Sequence, residues 1–217
     1  MSISTLILGE SGTGKTASLR NMKPEDVLLI QTIRKPMPFG YTSWQFKTKE
    51  NPSGSIVVTD DYEQIIQAIE KTKRPIIIID DWNFIMTNEF MRRSGETGYS
   101  KFSEIGRKAW ELLMAAGSTA GDKRVYFIGH VQEDDNGHIT AKSIGKMLTD
   151  KICIEAMFTT VLRTEVINGN YLFRTQNNGH DTVKSPIGMF ETEHVENDLE
   201  KIDARICEFY SITRGSK

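Results

Sequence analysis

Gly9-Glu10-Ser11-Gly12-Thr13-Gly14-Lys15-Thr16 is the stretch whose reading decides the fold. It fits G-x-x-x-x-G-K-[ST] without a mismatch, and its flanks supply the context that gives the pattern meaning. Upstream, Ser4-Thr5-Leu6-Ile7-Leu8 is a short apolar run with the character of a buried strand. Downstream, Ala17 to Met22 can open a helix that stops near Lys23-Pro24. Glycines let backbone N–H groups turn inward around an anion, and a helix N-terminus adds free N–H groups and a favourable dipole. The loop, Gly9 to Ala17, is therefore expected to cradle the phosphates of a nucleoside triphosphate. Lys15 is expected to reach the β- and γ-phosphates, and the Thr16 hydroxyl to bind Mg²⁺. One such charge pair at about 4 Å and an effective dielectric near 20 is worth roughly 4 kcal/mol. The competing reading, a glycine-rich turn that happens to hold a lysine, leaves the flanking strand and helix unexplained.

The second decisive run is Ile76-Ile77-Ile78-Ile79-Asp80-Asp81. Four consecutive β-branched residues without alternation suit a central parallel strand covered on both faces. The carboxylates arrive at its C-terminal end, the edge at which open α/β sheets bind ligands. This is a Walker B pattern, expected on a strand neighbouring the glycine loop's own. Asp80 is expected to hold Mg²⁺ through a water, because that ion gives up its hydration shell reluctantly. Asp81 either polarises an attacking water or caps a turn. A third strand, Arg124 to Gln132, ends in polar residues, and His130 or Gln132 is a candidate to sense the γ-phosphate, with a structural histidine as the plain alternative.

Between these runs, Val27 to Gln31 and Ser55 to Val58 read as further strands. Arg34 to Gly54 is an irregular insertion mixing Arg34, Lys35, Lys47 and Lys49 with Phe39, Tyr41, Trp44 and Phe46. Such a mixture is either a platform for bases or a cover for the domain edge. Thr59 or Asp60 is expected to cap a helix ending at Lys71-Thr72-Lys73-Arg74, ahead of Pro75. Met86 to Ser100 reads as a long exposed loop whose Arg92 and Arg93 are candidate DNA contacts. Phe102 to Ala116 spaces as an amphipathic helix. Residues 132–146 read as a second exposed stretch, with a turn at Asp134-Asp135-Asn136-Gly137 from which His138-Ile139-Thr140 can return as a strand, and with Lys142 and Lys146 either solvated or donated across a subunit interface. Asn168-Gly169 predicts a hairpin between Thr159–Ile167 and Tyr171–Thr175. A last helix runs from about Asn197 to Tyr210 with Leu199, Ile202, Ile206 and Phe209 toward the core, and Thr213 to Lys217 reads as a loose tail.

The chain has 217 residues and a formal net charge of −2, which suits one α/β domain and excludes binding to DNA through bulk charge alone. Cys153 and Cys207 lie far apart, with no CxxC and no clustered histidines, so neither a zinc site nor a disulfide framework is expected. With no signal peptide or membrane span visible, a cytoplasmic protein is expected.

Taken together, Gly9 to Thr16, Ile76 to Asp81, Ile128-Gly129-His130, Gly145-Lys146, Phe173-Arg174-Thr175-Gln176 and Lys184-Ser185-Pro186 resemble the small phage-encoded P-loop ATPases with a RecA-like core, the phage nucleotide-binding or AAA-family proteins, some of which act in recombination and single-strand annealing. The resemblance covers nearly the whole chain. It implies a mostly parallel central sheet flanked by helices, with a C-terminal antiparallel hairpin, ATP and Mg²⁺ as ligands, and Lys15, Thr16 and Asp80 as the residues that hold them. It also implies single-stranded DNA as a partner, homo-oligomers, and contact with a single-strand-binding or recombination protein. In a phage-encoded protein the compartment would be the host cytoplasm. Two departures bear on the catalytic base. Gln31-Thr32 stands where relatives often carry an acid, and Asp80-Asp81 stands where Asp-Ser is usual.

Overall fold

The computed structural model describes residues 2–119, 122–134, 136–145 and 152–214. Its elements in chain order are β1 (Ile3–Gly9), β2 (Val27–Gln31), β3 (Ile56–Val58), α1 (Tyr62–Lys71), β4 (Ile76–Asp80), α2 (Asn83–Arg92), α3 (Ser100–Gly117), β5 (Arg124–Glu133), β6 (Ile139–Ala141), β7 (Thr160–Ile167), β8 (Asn170–Arg174), β9 (His194–Glu196) and α4 (Leu199–Phe209). The sheet order is β3-β2-β4-β5-β1-β7-β8-β9, with β6 attached to the end of β5. Strands β3 through β7 in that order pair in parallel, and β8 and β9 add antiparallel partners. The protein is thus an α/β molecule with a mostly parallel mixed sheet, helices on both faces and an antiparallel hairpin.

Each central strand splits its apolar residues between two cores because successive side chains point to opposite faces. Ile77, Ile79, Val125 and Phe127 face α1, α2 and α3, where Ile65, Ile69, Ile105 and Leu112 meet them. Ile76, Ile78, Tyr126 and Ile128 face the other way, against Leu19, Met37, Trp44 and the Leu199, Ile202, Ile206 stripe of α4. The unbroken isoleucine run of β4 is buried on both sides as its lack of alternation requires.

Several sequence expectations change in detail. The strand carrying Asp80 is not next to β1; β5 lies between them. The helix expected after the glycine loop is a 3₁₀ stretch, Thr16–Asn21, that gives way to extended backbone at Met22 and Lys23, as the following Pro24 demands. Tertiary contacts replace the missing turns, with Arg20 donating to the Asn197 carbonyl and Asn21 to the Asp198 carboxylate at 2.8 Å. Residues 86–100 are not one long loop. α2 continues to Arg92 because Ile85 and Met86 are buried while its polar flank bonds to Asp60, so only 93–99 lie outside helix. Residues 132–146 are not all loop: the return strand expected at His138-Ile139-Thr140 is β6, which pairs with Val131–Glu133 at the end of β5. Asp61, not Thr59 or Asp60, caps α1 by accepting from Gln64 N. Phe209 points outward, and Cys207 fills the inner face of α4 in its place.

The insertion at 34–54 forms no strand, and its Phe46 touches β3 through a single bridge to Ile56. Trp44 is buried against Phe39 and Arg34 stacks over Phe46, so these aromatics cover the sheet edge. The hairpin turn has Asn168 and Gly169 both at positive φ, the type I′ geometry that suits the strand twist. Cys153 and Cys207 are both free thiols. Among the described residues no helix is long and apolar enough to cross a membrane.

Candidate functional site

The C-terminal ends of β1, β5 and β4 converge on one cleft of about 680 Å³. Its floor is the Gly9–Thr16 loop, where Gly12 and Gly14 take left-handed φ values of 82° and 94°. Lys15 is buried beneath it and donates from Nζ to the carbonyls of Gly9 (2.9 Å) and Glu10 (2.6 Å). An ammonium has three donors, so these bonds bend the loop around the lysine and leave a proton for an anion in the cleft. Burial lowers the Lys15 pKa, with the neighbouring Lys35 charge acting in the same direction and Asp81 and Asp80 against it.

Thr16 places its hydroxyl 3.1 and 3.0 Å from the two oxygens of Asp80. The Asp80 carboxylate is buried at the tip of β4, and burial together with Asp81 pushes its pKa up to about 6. A hydroxyl beside a carboxylate is an all-oxygen donor set of the kind Mg²⁺ uses when phosphates and water complete the shell. Among the described residues no cluster of three or more His, Cys, Asp or Glu offers a self-sufficient metal cage. The donors therefore fit a cation that arrives with its own ligands.

Asp81 follows with φ 57°, a left-handed turn that ends β4 and sends the chain into α2. Its carboxylate contacts His130 Nε2 at 3.4 Å and the Lys35 ammonium. Burial would raise the Asp81 pKa, but His130 and Lys35 outweigh it and hold it at about 2. His130 sits where β5 stops pairing with β1, between the loop and the acids because β5 lies between β1 and β4. The Asn83 carboxamide accepts from its backbone N–H at 3.2 Å, and Phe84 meets its ring edge-on at 6.0 Å.

The other candidate residues divide. Ser11, Gly12, Gly14, Lys15, Thr16, Ala17, Asp81 and His130 line the cleft. Gln132, two residues beyond His130, is outside that lining and belongs to the β5–β6 pairing. Lys142 has an exposed side chain, and its backbone N–H bonds to the His130 carbonyl at 2.9 Å. Lys146 lies outside the described residues. Arg92 pairs with Asp60 and Glu89, and Arg93 with Glu96, Glu104 and Glu89, so both guanidinium groups already have acidic partners.

Three residues reach the site without having been singled out for it. Lys35, four residues past β2, lines the cleft and meets the acid pair. Thr164 on β7 is buried under the loop, sharing a 2.6 Å hydrogen bond with Thr13. A Cβ at Gly9 would stand 1.9 Å from the Thr164 hydroxyl, so this contact requires glycine there. Tyr171, at the base of the hairpin turn, lines the cleft together with Pro36 and Pro38. No local spacing links these side chains to the loop; only strand order does.

No protein-family model matches the chain, and no curated protein matches it significantly in sequence.

Proposed function

We propose that this protein is a P-loop NTPase with a RecA-like core, which binds ATP with Mg²⁺ and hydrolyses it. The observation that carries the reading is the Thr16 hydroxyl lying within 3.1 Å of both Asp80 oxygens, directly beside a glycine loop folded around Lys15. A hydroxyl–carboxylate pair beside a glycine loop at one edge of the sheet supports this reading, because a metal-complexed triphosphate needs a cation-binding pair next to an anion cradle. A bound Mg²⁺ would neutralise phosphate charge. The chain's own parts would then divide the work: loop amides and Lys15 would hold the phosphates, Thr16 and Asp80 would hold the metal, and His130, contacted by Asp81 and Phe84, would sense the terminal phosphate.

A slow, nucleotide-gated binding module is the second reading. It is favoured by the engagement of Asp81 with both Lys35 and His130, which leaves no uncommitted carboxylate as base among the described lining residues. Action on single-stranded DNA, as an oligomer in phage recombination, annealing or replication, rests on the sequence resemblance alone. ATPase assays with and without single-stranded DNA at two salt concentrations separate these readings.

Lys15→Ala tests the nucleotide site itself. ATP affinity, measured by calorimetry with Mg²⁺ present, should fall roughly a hundredfold or more, since the lost charge pair is worth about 4 kcal/mol at 4 Å. Unchanged affinity would refute the assignment.

A further inference from the structure

Asp81 and two lysines line this cleft, with Asp80 buried beside Asp81, and the lysines are used differently. Lys15 is turned toward the loop carbonyls. Lys35 is turned toward the acids, with its ammonium on Asp81 Oδ2 and 4.0 Å from Asp80 Oδ2. Its backbone is fixed: the Gln31 carboxamide donates to the Lys35 carbonyl at 3.2 Å, Pro36 stiffens the next residue, and Met37 is buried in the core. Its side chain is not. It is 38% exposed and runs along the cleft wall, so rotation about its own bonds is enough to carry the charge from the acids toward the loop.

We propose that Lys35 is a built-in counterion that occupies the cation position at Asp80 and Asp81 in the nucleotide-free protein and yields it to a divalent metal that enters with its nucleotide. The inference rests on reading the cleft as a metal–triphosphate site and specifies how that site is filled. Two adjacent, largely buried carboxylates need a nearby positive charge, and Lys35 supplies it before the metal does. Metal alone must displace an ammonium while Lys15 adds a second positive charge close by. Metal with a polyphosphate meets no such obstacle, because the displaced ammonium acquires phosphate oxygens in exchange. The site therefore discriminates against free metal and favours the complex.

The test uses Mn²⁺ alone and then Mn²⁺ with ATP, read by the free-ion paramagnetic signal or by calorimetry on the full chain. Lys35→Gln should bind Mn²⁺ without nucleotide about tenfold or more tightly than the parent, and Lys35→Arg should resemble the parent. Adding Asp80→Asn to Lys35→Gln should remove the gain. Mn²⁺·ATP affinity should stay level or drop in Lys35→Gln, because the phosphates lose an ammonium. Mn²⁺ affinity that is unchanged or weaker in Lys35→Gln overturns the proposal, as does a gain that survives Asp80→Asn. An equal gain for metal alone and for the complex overturns the exchange. Circular dichroism verifies that each variant is folded. If the parent fails to bind Mn²⁺·ATP at all, the nucleotide reading falls, while the metal-only comparison still judges Lys35.

Discussion

Gly129, one residue before His130, shows how closely the site's backbone is packed. A Cβ there would stand 2.5 Å from Trp82 Nε1 and 2.8 Å from its Cδ1. Trp82 is fully buried, held edge-on by Phe127, and cannot retreat. Gly129→Ala should therefore cost about 1–3 kcal/mol of stability as overpacking, measured by urea unfolding. Because Trp82 directly follows Asp81, the same variant should weaken nucleotide binding. At this scale the glycine loop and the Asp80 tip were legible in sequence, since their chemistry is written in consecutive residues. Lys35 was not. It is one of several basic residues in an irregular stretch, and its partners come from a strand forty-odd residues away. Asp81 was readable as polar and strand-terminal, but its commitment to two cations is a product of packing.

Among the elements, α4 and the β7–β8 hairpin do the most to hold the site's supports in place. α4 is tied to the start of β5 by Asp203, which accepts from Arg124 at 2.9 and 3.0 Å and from the Tyr126 hydroxyl at 2.6 Å, all in the interior. Asp203→Ala leaves a buried guanidinium without its partner and should cost about 3–5 kcal/mol in denaturant unfolding. On the hairpin, Glu165 lies 2.9 Å from Arg174, 3.2 Å from Arg163 and 3.0 Å from His194. Burial would raise the Glu165 pKa, but Arg174, His194 and Arg163 overcome it and hold it below the ordinary value. A depressed carboxyl stabilises the fold above its unfolded pKa of about 4.3, and that stability is lost as pH falls through the folded value. The melting temperature should therefore drop less steeply below about pH 4.3 in Glu165→Gln than in the parent. The hairpin itself was legible, because Asn-Gly dictates a type I′ turn. α2 was missed because its polar residues face neighbours such as Asp60 instead of marking a loop, and the 3₁₀ stretch was overread as a helix because its support comes from residues 196–198, not from its own length.

For the whole molecule, composition and the isoleucine run sufficed to announce a parallel sheet, but not its order. No sequence signal says that β5 separates β1 from β4, and that order sets His130 between the glycine loop and the acids. The same order has a consequence for synthesis. β1 is made well before its two sheet partners, β5 and β7, with which it pairs through Arg124–His130 and Thr160–Arg163. While a ribosome is producing the first half of the chain, Leu6, Ile7 and Leu8 have no strand to pair with and stay available to wrong partners or chaperones. A fragment ending before Arg124 should show no protected amides in β1 by hydrogen exchange, whereas the full chain should protect them strongly. The glycine loop is thus translated long before the strands that give it its shape.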